Sequence, residues 1–467
     1  MTAPAASSVS ATRSLREPGA ILLVSCYELG HQPLGIAWPQ AFLERAGYAP
    51  DSLDLAIEPW DEARIRRAQL VGIAVPMHTA LRLGARAAER IRHANPDCHI
   101  VFYGLYALLN AEYLLSGVAD HVLGGEFEEA FVELVKQVDH GDLPRTTYDA
   151  RRTRLNFPLP SRDSLPPLTR YVKLSRAGAE IPAGYVEASR GCLHHCLHCP
   201  LPPVYDGRFF IVPHEVVLAD IGRLVAAGAG HITFGDPDFL NGPGHALRLV
   251  RALHAEFPHV TYDFTAKIEH LLRHRALMPE FAATGCVFVV SAIESLSDVV
   301  LRNLEKGHTR ADVEVALDIA RRAGIAVRPS FLPFTPWATL DDYAELLDFV
   351  LSADLVDHVD PVQLTIRLLI PPRSALLTRS AIQPFLGELD DAGFAYRWTH
   401  PDPRMDALHT DVTALVAASA AAGEDPAVTI SRLHALASKR AGRPVGGVRL
   451  PPPERPIPAR LTEPWFC

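Results

Sequence analysis

The sequence predicts an α/β chain in two parts, an N-terminal Rossmann-like doubly wound domain and then a partial (β/α)6 barrel with a helical C-terminal extension. Three observations carry this. Short apolar runs alternate with amphipathic stretches from Gly19 to about His140. A proline-rich segment then interrupts the pattern, and a second alternating series begins near Gly184. Strands that alternate with helices imply parallel sheets covered by helices.

In the first part, residues 20–25 (AILLVS), 70–75 (LVGIAV), 99–104 (HIVFYG) and 120–124 (DHVLG) read as buried strands, with helices over 36–46 and 80–94. The connector FPLPSRDSLPPLTR (157–170) continues neither helix nor sheet easily, because proline lacks a donor and restricts the residue before it. In the second part, strands are expected at 185–189, 231–235, 260–265, 287–293, 326–332 and 362–368, with helices such as 214–227 and 311–323 between them. A barrel of this kind holds its chemistry at the C-terminal ends of its strands. The expected division is a tail at 1–18, the Rossmann-like domain at 19–145, a proline-rich linker at 146–180, the barrel at 181–375, and at 376–467 an extension ending in a proline-rich arm.

With 467 residues the chain is long enough for two or three domains and a core that needs no disulfide staples. Its net charge of −9 and lack of a basic block argue against nucleic-acid and membrane-surface partners. The apolar content of 48% excludes disorder as the main state. Seven cysteines, three of them within eight residues, point to a reducing cytoplasm rather than a secreted disulfide scaffold. The N-terminus lacks the apolar core of a signal peptide, and no stretch has the length of a membrane span.

The decisive segment is RGCLHHCLHCP (190–200), directly after the first expected barrel strand. Cys192, Cys196 and Cys199 at CxxxCxxC spacing can hold three corners of a cubane iron–sulfur cluster and leave the fourth iron open. A structural zinc site completed by His194, His195 or His198 is the other reading. It is weaker because no second CxxC exists in the chain.

With this motif the sequence resembles the radical S-adenosylmethionine (SAM) superfamily over roughly residues 184–375. The resemblance implies that the three cysteines hold a 4Fe–4S cluster and that SAM chelates its open iron. It implies that His198, before the last cysteine, lies where backbone contacts to adenine are made. Gly235-Asp236-Pro237 looks like a variant of the family's GGEP segment, which receives the methionine ammonium. Asp236 is a candidate there beside its reading as a turn or capping aspartate, and Asp238 has the same two readings. Ser291-Ala292-Ile293-Glu294-Ser295 resembles the GxIES segment, making Ser291 and Glu294 candidates for the ribose or amino-acid end, and Lys306-Gly307-His308-Thr309 fits the same register. The region 328–336 departs from the family's glycine-bearing pattern. Arg328 and Arg367 are expected in rim salt bridges, with a substrate carboxylate as the other reading.

A Rossmann-like domain ahead of such a barrel resembles the cobalamin-binding domains of many of these enzymes, and QPLGIA (32–37) and GGEFE (124–128) fit that register. The DxHxxG ligand motif fails around His31, where Leu29 and Leu34 take the aspartate and glycine positions. Cobalamin is therefore expected, if at all, without a protein ligand. Cys26, Cys98 and Cys286 read as inert buried thiols.

CLHHCLHCPLPPVYDGRFF, GDPDFLNGPGHALR and VSAIESLSDVVLRNLEKGHTRAD look like the CUAEP/CCAEP-tail radical SAM proteins, over nearly the whole chain. Members of that group end in Cys, then selenocysteine or cysteine, then Ala-Glu-Pro. The resemblance implies that Cys467 begins such a tail and that a selenocysteine codon follows it, giving a soft ligand or redox pair. Taken together, the sequence predicts a radical SAM enzyme that uses a low-potential donor such as flavodoxin or ferredoxin to modify a small molecule. Transfer of a 3-amino-3-carboxypropyl group to a soft atom such as arsenic is one outcome. A cobalamin-dependent methyltransferase and a non-enzymatic zinc-binding module are the alternatives.

Overall fold

The computed structural model describes residues 14–141, 146–151, 153–444, 451–452 and 454–463. Its first sheet is six-stranded and parallel: β1 (Ile21–Ser25), β2 (Asp51–Asp54), β3 (Leu70–Ala74), β4 (His99–Tyr103), β5 (His121–Gly125) and β6 (Thr146–Arg151), in the order β2-β1-β3-β4-β5-β6. That is a doubly wound order with its switch point between β1 and β3, where open α/β sheets bind ligands beyond their strand ends. The apolar runs read from the sequence are β1, β3, β4 and β5, buried along nearly their whole length. The edge strand β2 was not legible, because Asp-Ser-Leu-Asp has too few apolar residues to read as a strand. The first sheet also takes β6 from residues assigned in the sequence to the linker.

The helix Leu34–Arg45 is buried from Ile36 through Leu43. A helix apolar on every side must be covered on every side, and this one lies between the first sheet and the second unit. Trp38 donates to Glu187 (3.1 Å), and Trp38 and Phe42 pack edge-on against Phe157 of the connector. The prolines prevent regular pairing in the connector, yet the apolar residues between them (Leu155, Phe157, Leu165, Leu168) are buried. It is a packed seam between the two units rather than a loose tether.

The second unit contains β7 (Lys173–Arg176), β8 (Ala179–Val186), β9 (Ser189–Gly191), β10 (Phe209–Ile211), β11 (His231–Phe234), β12 (Thr261–Thr265), β13 (Cys286–Glu294) and β14 (Ala326–Phe331). The hairpin β15 (Leu386–Asp390) and β16 (Ala395–Trp398) and the strand β17 (Arg460–Leu461) follow. The curled sheet runs β14-β13-β12-β11-β8-β7-β17, parallel from β14 to β8 and antiparallel at β7 and β17. Its sixth expected parallel strand is reduced. Residues 361–365 form a 3-10 turn entered through Pro361, and only Arg367 bridges Phe334. The extension is likewise not wholly helical. The helices Pro403–Ala421 and Pro426–Arg440 follow the β15/β16 hairpin, and β17 returns to the sheet edge.

Candidate functional site

The cysteine loop is closed at its base by a small antiparallel pair, β9 with β10, so that Cys192 through Arg208 form one pinched loop. Gly191 makes the pinch possible. Its φ is +76°, and a Cβ there would lie 2.4 Å from the Arg208 carbonyl oxygen and 2.7 Å from the Tyr205 ring. Cys192 and Cys196 are buried, and Cys199 is half-buried. The loop is anchored by Leu197 N–H donating to Leu304 O (3.0 Å) and by a turn from Cys199 N–H to Cys196 O (3.1 Å).

The three sulfurs do not form a donor set with every atom within 4.8 Å of the others. Among the described residues, one set of three metal-ligating side chains has all its donor atoms within 4.8 Å of one another, and the cysteines are not that set. Tetrahedral zinc with Zn–S near 2.3 Å requires thiolates about 3.8 Å apart. A cubane cluster spans a larger triangle, and three thiols from one loop fit three of its irons. Burial pushes the Cys199 thiol up to about 12, so its ionisation depends on the charge of a bound metal.

Glu294 stands over this loop. It ends β13 with a φ of +65°, accepts from Lys306 (3.3 Å) and lies 3.1 Å from His198 Nε2. Burial would raise its carboxyl, but Lys306 and His198 outweigh that and hold it down at about 2. Lys306 is itself buried, and Glu294, Cys196 and Cys199 keep its ammonium charged against the cost of burial. The structure thus joins three sequence candidates, His198, Glu294 and Lys306, into one interacting set beside the cysteines. Ser291 is turned elsewhere, donating to Ala266 O (2.8 Å).

The turn after β11 brings Gly235, Asp236 and Pro237 to the same end of the barrel. A Cβ on Gly235 would lie 2.3 Å from Tyr185, so only glycine lets that ring cover the turn. Asp236 accepts from Ala188 N–H (2.9 Å) and Ser189 Oγ (2.5 Å), so it latches β8 to β9; burial pushes its carboxyl up to about 7. Asp238 caps the next turn by accepting from Leu240 N–H. Asn241, not singled out in the sequence, places Oδ1 3.9 Å from Cys192 Sγ and 3.3 Å from Leu193 N. No spacing rule signals it, because it reaches the loop from another element.

Two cavities meet at Tyr185, Gly235 and Pro237. One, of about 250 Å³, lies between the strand ends of the first sheet and the base of the cysteine loop, and is lined by Glu28, Tyr103, Glu128, Arg190, Gly191 and Tyr205 among others. Arg190 crosses it from the second unit to Glu128 (2.6 Å) and Glu126 (3.7 Å), both fully buried. The other, of about 280 Å³, is the barrel lumen, lined by Thr233, Asp236, Asp263, Arg328, Asp360 and Glu463 among others. Glu463 enters from the segment after β17; burial and Asp263 push its carboxyl up to about 7 against the pull of Arg328. A larger hollow of about 980 Å³ lies under the C-terminal arm, away from the cysteine loop.

His31 is buried, stacks on Tyr185 (4.4 Å between ring centres) and lines the lumen rather than the crevice of the first sheet. Arg328 lines the lumen and pairs with Asp360 (3.0 Å). Arg367 lies outside it, paired with Asp406 and stacked on Trp398. Cys26, Cys98 and Cys286 are buried, with thiols raised by burial. Cys467 lies outside the described residues.

Residues 186–350 match the radical SAM superfamily. Among curated proteins, the chain is 25% identical over 233 residues to a protein of Methanocaldococcus jannaschii named as a methylthiotransferase, covering 46% of this chain and 48% of that one. It is 24% identical over 186 residues to the ribosomal protein uS12 methylthiotransferase RimO of Desulforamulus reducens, covering 36% and 39%. The chain thus spans half or less of the length of these relatives. Among solved structures, the cobalamin-dependent SAM radical enzyme OxsB superposes with a TM-score of 0.66 at 15% identity, over 85% of this chain and 67% of that one. The radical SAM methyltransferase TsrM from Kitasatospora setae superposes at 0.57 and 18% identity, over 72% and 73%. At these identities the structural likeness is one of fold. Among the described residues, no helix is long and apolar enough to cross a membrane.

Proposed function

We propose, from the match of residues 186–350 to the radical SAM superfamily, that the protein is an enzyme that cleaves SAM reductively to modify a small molecule held in the barrel lumen. The observation that carries this is the cysteine triangle: three thiols from one pinched loop, not gathered as the donor set of a single ion. When bound there, a 4Fe–4S cluster with one open iron supplies the electron that breaks an S–C bond of SAM. Cys192, Cys196 and Cys199 hold it. Lys306 places a fixed positive charge beside Cys196 and Cys199, which favours the reduced state. Glu294 keeps Lys306 ionised and offers a carboxylate at the strand end, suited to the hydroxyls or ammonium of SAM. Gly235 and Pro237 line both cavities, so a SAM molecule lying across this turn would face the lumen.

A small substrate is favoured by the lumen's volume of about 280 Å³, with Glu463 in its wall. Drug-sized ligands fill pockets of roughly 300–1,000 Å³. A corrinoid would lie at the strand ends of the first sheet, where Glu28, Tyr103 and Glu128 line an open crevice. Its DxHxxG motif is missing, and His31 faces the lumen. No corrinoid step is therefore derived, although the superposed OxsB and TsrM structures carry cobalamin.

Anaerobically reconstituted protein, SAM and dithionite, read by mass spectrometry beside a Cys196→Ala control, tests the reading. Cleavage products in the wild type alone support it. Methylthioadenosine would point to 3-amino-3-carboxypropyl transfer, with arsenite the first acceptor to supply. 5′-Deoxyadenosine would point to hydrogen abstraction or cobalamin-linked methylation. Absence of both from protein that holds an intact cluster and SAM would overturn it.

A further inference from the structure

Among the described residues, one donor set has the spacing of a single metal ion. His194, Asp238 and His270 each bring one donor atom within 4.8 Å of the other two. Asp238 Oδ2 is 2.9 Å from His270 Nδ1 and 3.6 Å from His194 Nε2. An ion bound to nitrogen and oxygen at about 2.0–2.2 Å holds its donors roughly 3–4 Å apart. The residues therefore need only small rotations to close on it. They come from three places: His194 from the cysteine loop, Asp238 from the turn after β11, and His270 from the helix Ile268–Arg273 after β12.

Hydrogen bonding does not account for the arrangement. His194 Nε2 and His270 Nδ1 are both buried, and neither has a hydrogen-bond partner. Leaving such atoms unpaired is costly. Asp238 is satisfied by backbone, with Leu240 N–H on Oδ1 (3.0 Å) and Lys267 N–H on Oδ2 (3.2 Å). Two ring nitrogens converge on one carboxylate oxygen, His270 at 2.9 Å but without the alignment of a regular N–H···O bond and His194 beyond its reach at 3.6 Å, as ligands do around a shared cation. Behind them, Glu269 Oε2 lies 3.7 Å from His194 Nδ1 and 3.7 Å from Lys267 Nζ. It can orient the ligating ring while balancing the lysine charge.

We propose that His194, Asp238 and His270 bind one divalent transition-metal ion, zinc foremost, in a site separate from the three cysteines. Two imidazoles and a carboxylate select zinc, cobalt or ferrous iron over magnesium and calcium. Three protein ligands leave a position for water or another small ligand. The ion ties the cysteine loop to the ends of β11 and β12. The inference does not depend on SAM cleavage, and its test removes the cysteines so that the two readings fail separately.

The full chain with Cys192→Ala, Cys196→Ala and Cys199→Ala is titrated anaerobically with cobalt(II), followed by the visible d–d bands and by metal analysis after desalting. One retained cobalt per chain, displaced by zinc, is expected. Adding His270→Gln should abolish retention while circular dichroism shows an unchanged fold. No retained cobalt in the triple-alanine chain, or undiminished retention in a folded His270→Gln variant, overturns the proposal. Should His270→Gln not fold, zinc X-ray absorption on the triple-alanine chain decides. A shell of nitrogen and oxygen at about 2.0–2.1 Å with histidine scattering supports the site, and a shell without histidine scattering overturns it.

Discussion

At Glu294 a non-glycine residue holds a φ of +65° while its carboxylate meets Lys306 and His198 in a buried setting. Backbone strain of this kind persists where the surroundings over-determine it. Here Lys306, the His198 ring and the end of β13 do so. Because the folded carboxyl is held at about 2 against a reference value of 4.5, Glu294 contributes stability that is present above pH 4.5 and lost as pH falls toward 2. Glu294→Gln should remove that acid limb and leave Lys306 buried and unpaired, costing roughly 3 kcal/mol at neutral pH in denaturant unfolding. An unchanged midpoint would show that Lys306 finds another partner. The cysteines, His198, Glu294 and Lys306 were legible because short spacings mark them in the sequence. Asp236 was legible only as an acid in a turn. That it would be used up on Ala188 and Ser189 depends on a strand break at Glu187 that no residue pattern announces.

The pinched loop is the element on which the chemistry rests, and Gly191 is its narrowest point. Gly191→Ala places a Cβ against the Arg208 carbonyl oxygen in a left-handed conformation. Left-handed backbone alone costs an alanine about 1 kcal/mol, and the clash with backbone adds to that. The variant should show a lower thermal midpoint and bind less iron per chain on anaerobic reconstitution. Wild-type iron content would mean the β9/β10 pair does not shape the cysteine triangle. At this scale the parallel strands were readable as apolar runs, since burial on both faces demands them. The short polar β2 and the hairpin β15/β16 were not. The sixth barrel strand was over-read, since an apolar run from Val362 to Leu368 cannot show that Pro361 starts a 3-10 turn.

Across the whole molecule, Arg190 binds the two units together. It leaves the cysteine-loop hairpin to meet Glu128 and Glu126 after β5, and Glu187 beside it. Burial raises both carboxyls, Glu126 to about 8, so Arg190→Gln would leave two buried acids without their cation at a cost of up to roughly 3 kcal/mol. The units should separate at lower urea, with a larger radius in small-angle scattering. A two-unit particle of unchanged radius and stability would remove Arg190 from that role. Such long-range pairs were invisible in the sequence, as was the return of residues 460–463 to close the lumen with Glu463. Contacts between segments hundreds of residues apart leave no periodicity to read.

The central claim is that Cys192, Cys196 and Cys199 hold a cluster with one iron open to SAM. Electron paramagnetic resonance of the dithionite-reduced, anaerobically reconstituted protein tests it most directly, recorded without and with SAM beside Cys196→Ala. The account predicts a reduced-cluster signal in the wild type that changes when SAM is added and is lost in the variant. Protein that takes up zinc on these cysteines and gives no such signal would contradict it, as would a cluster signal indifferent to SAM.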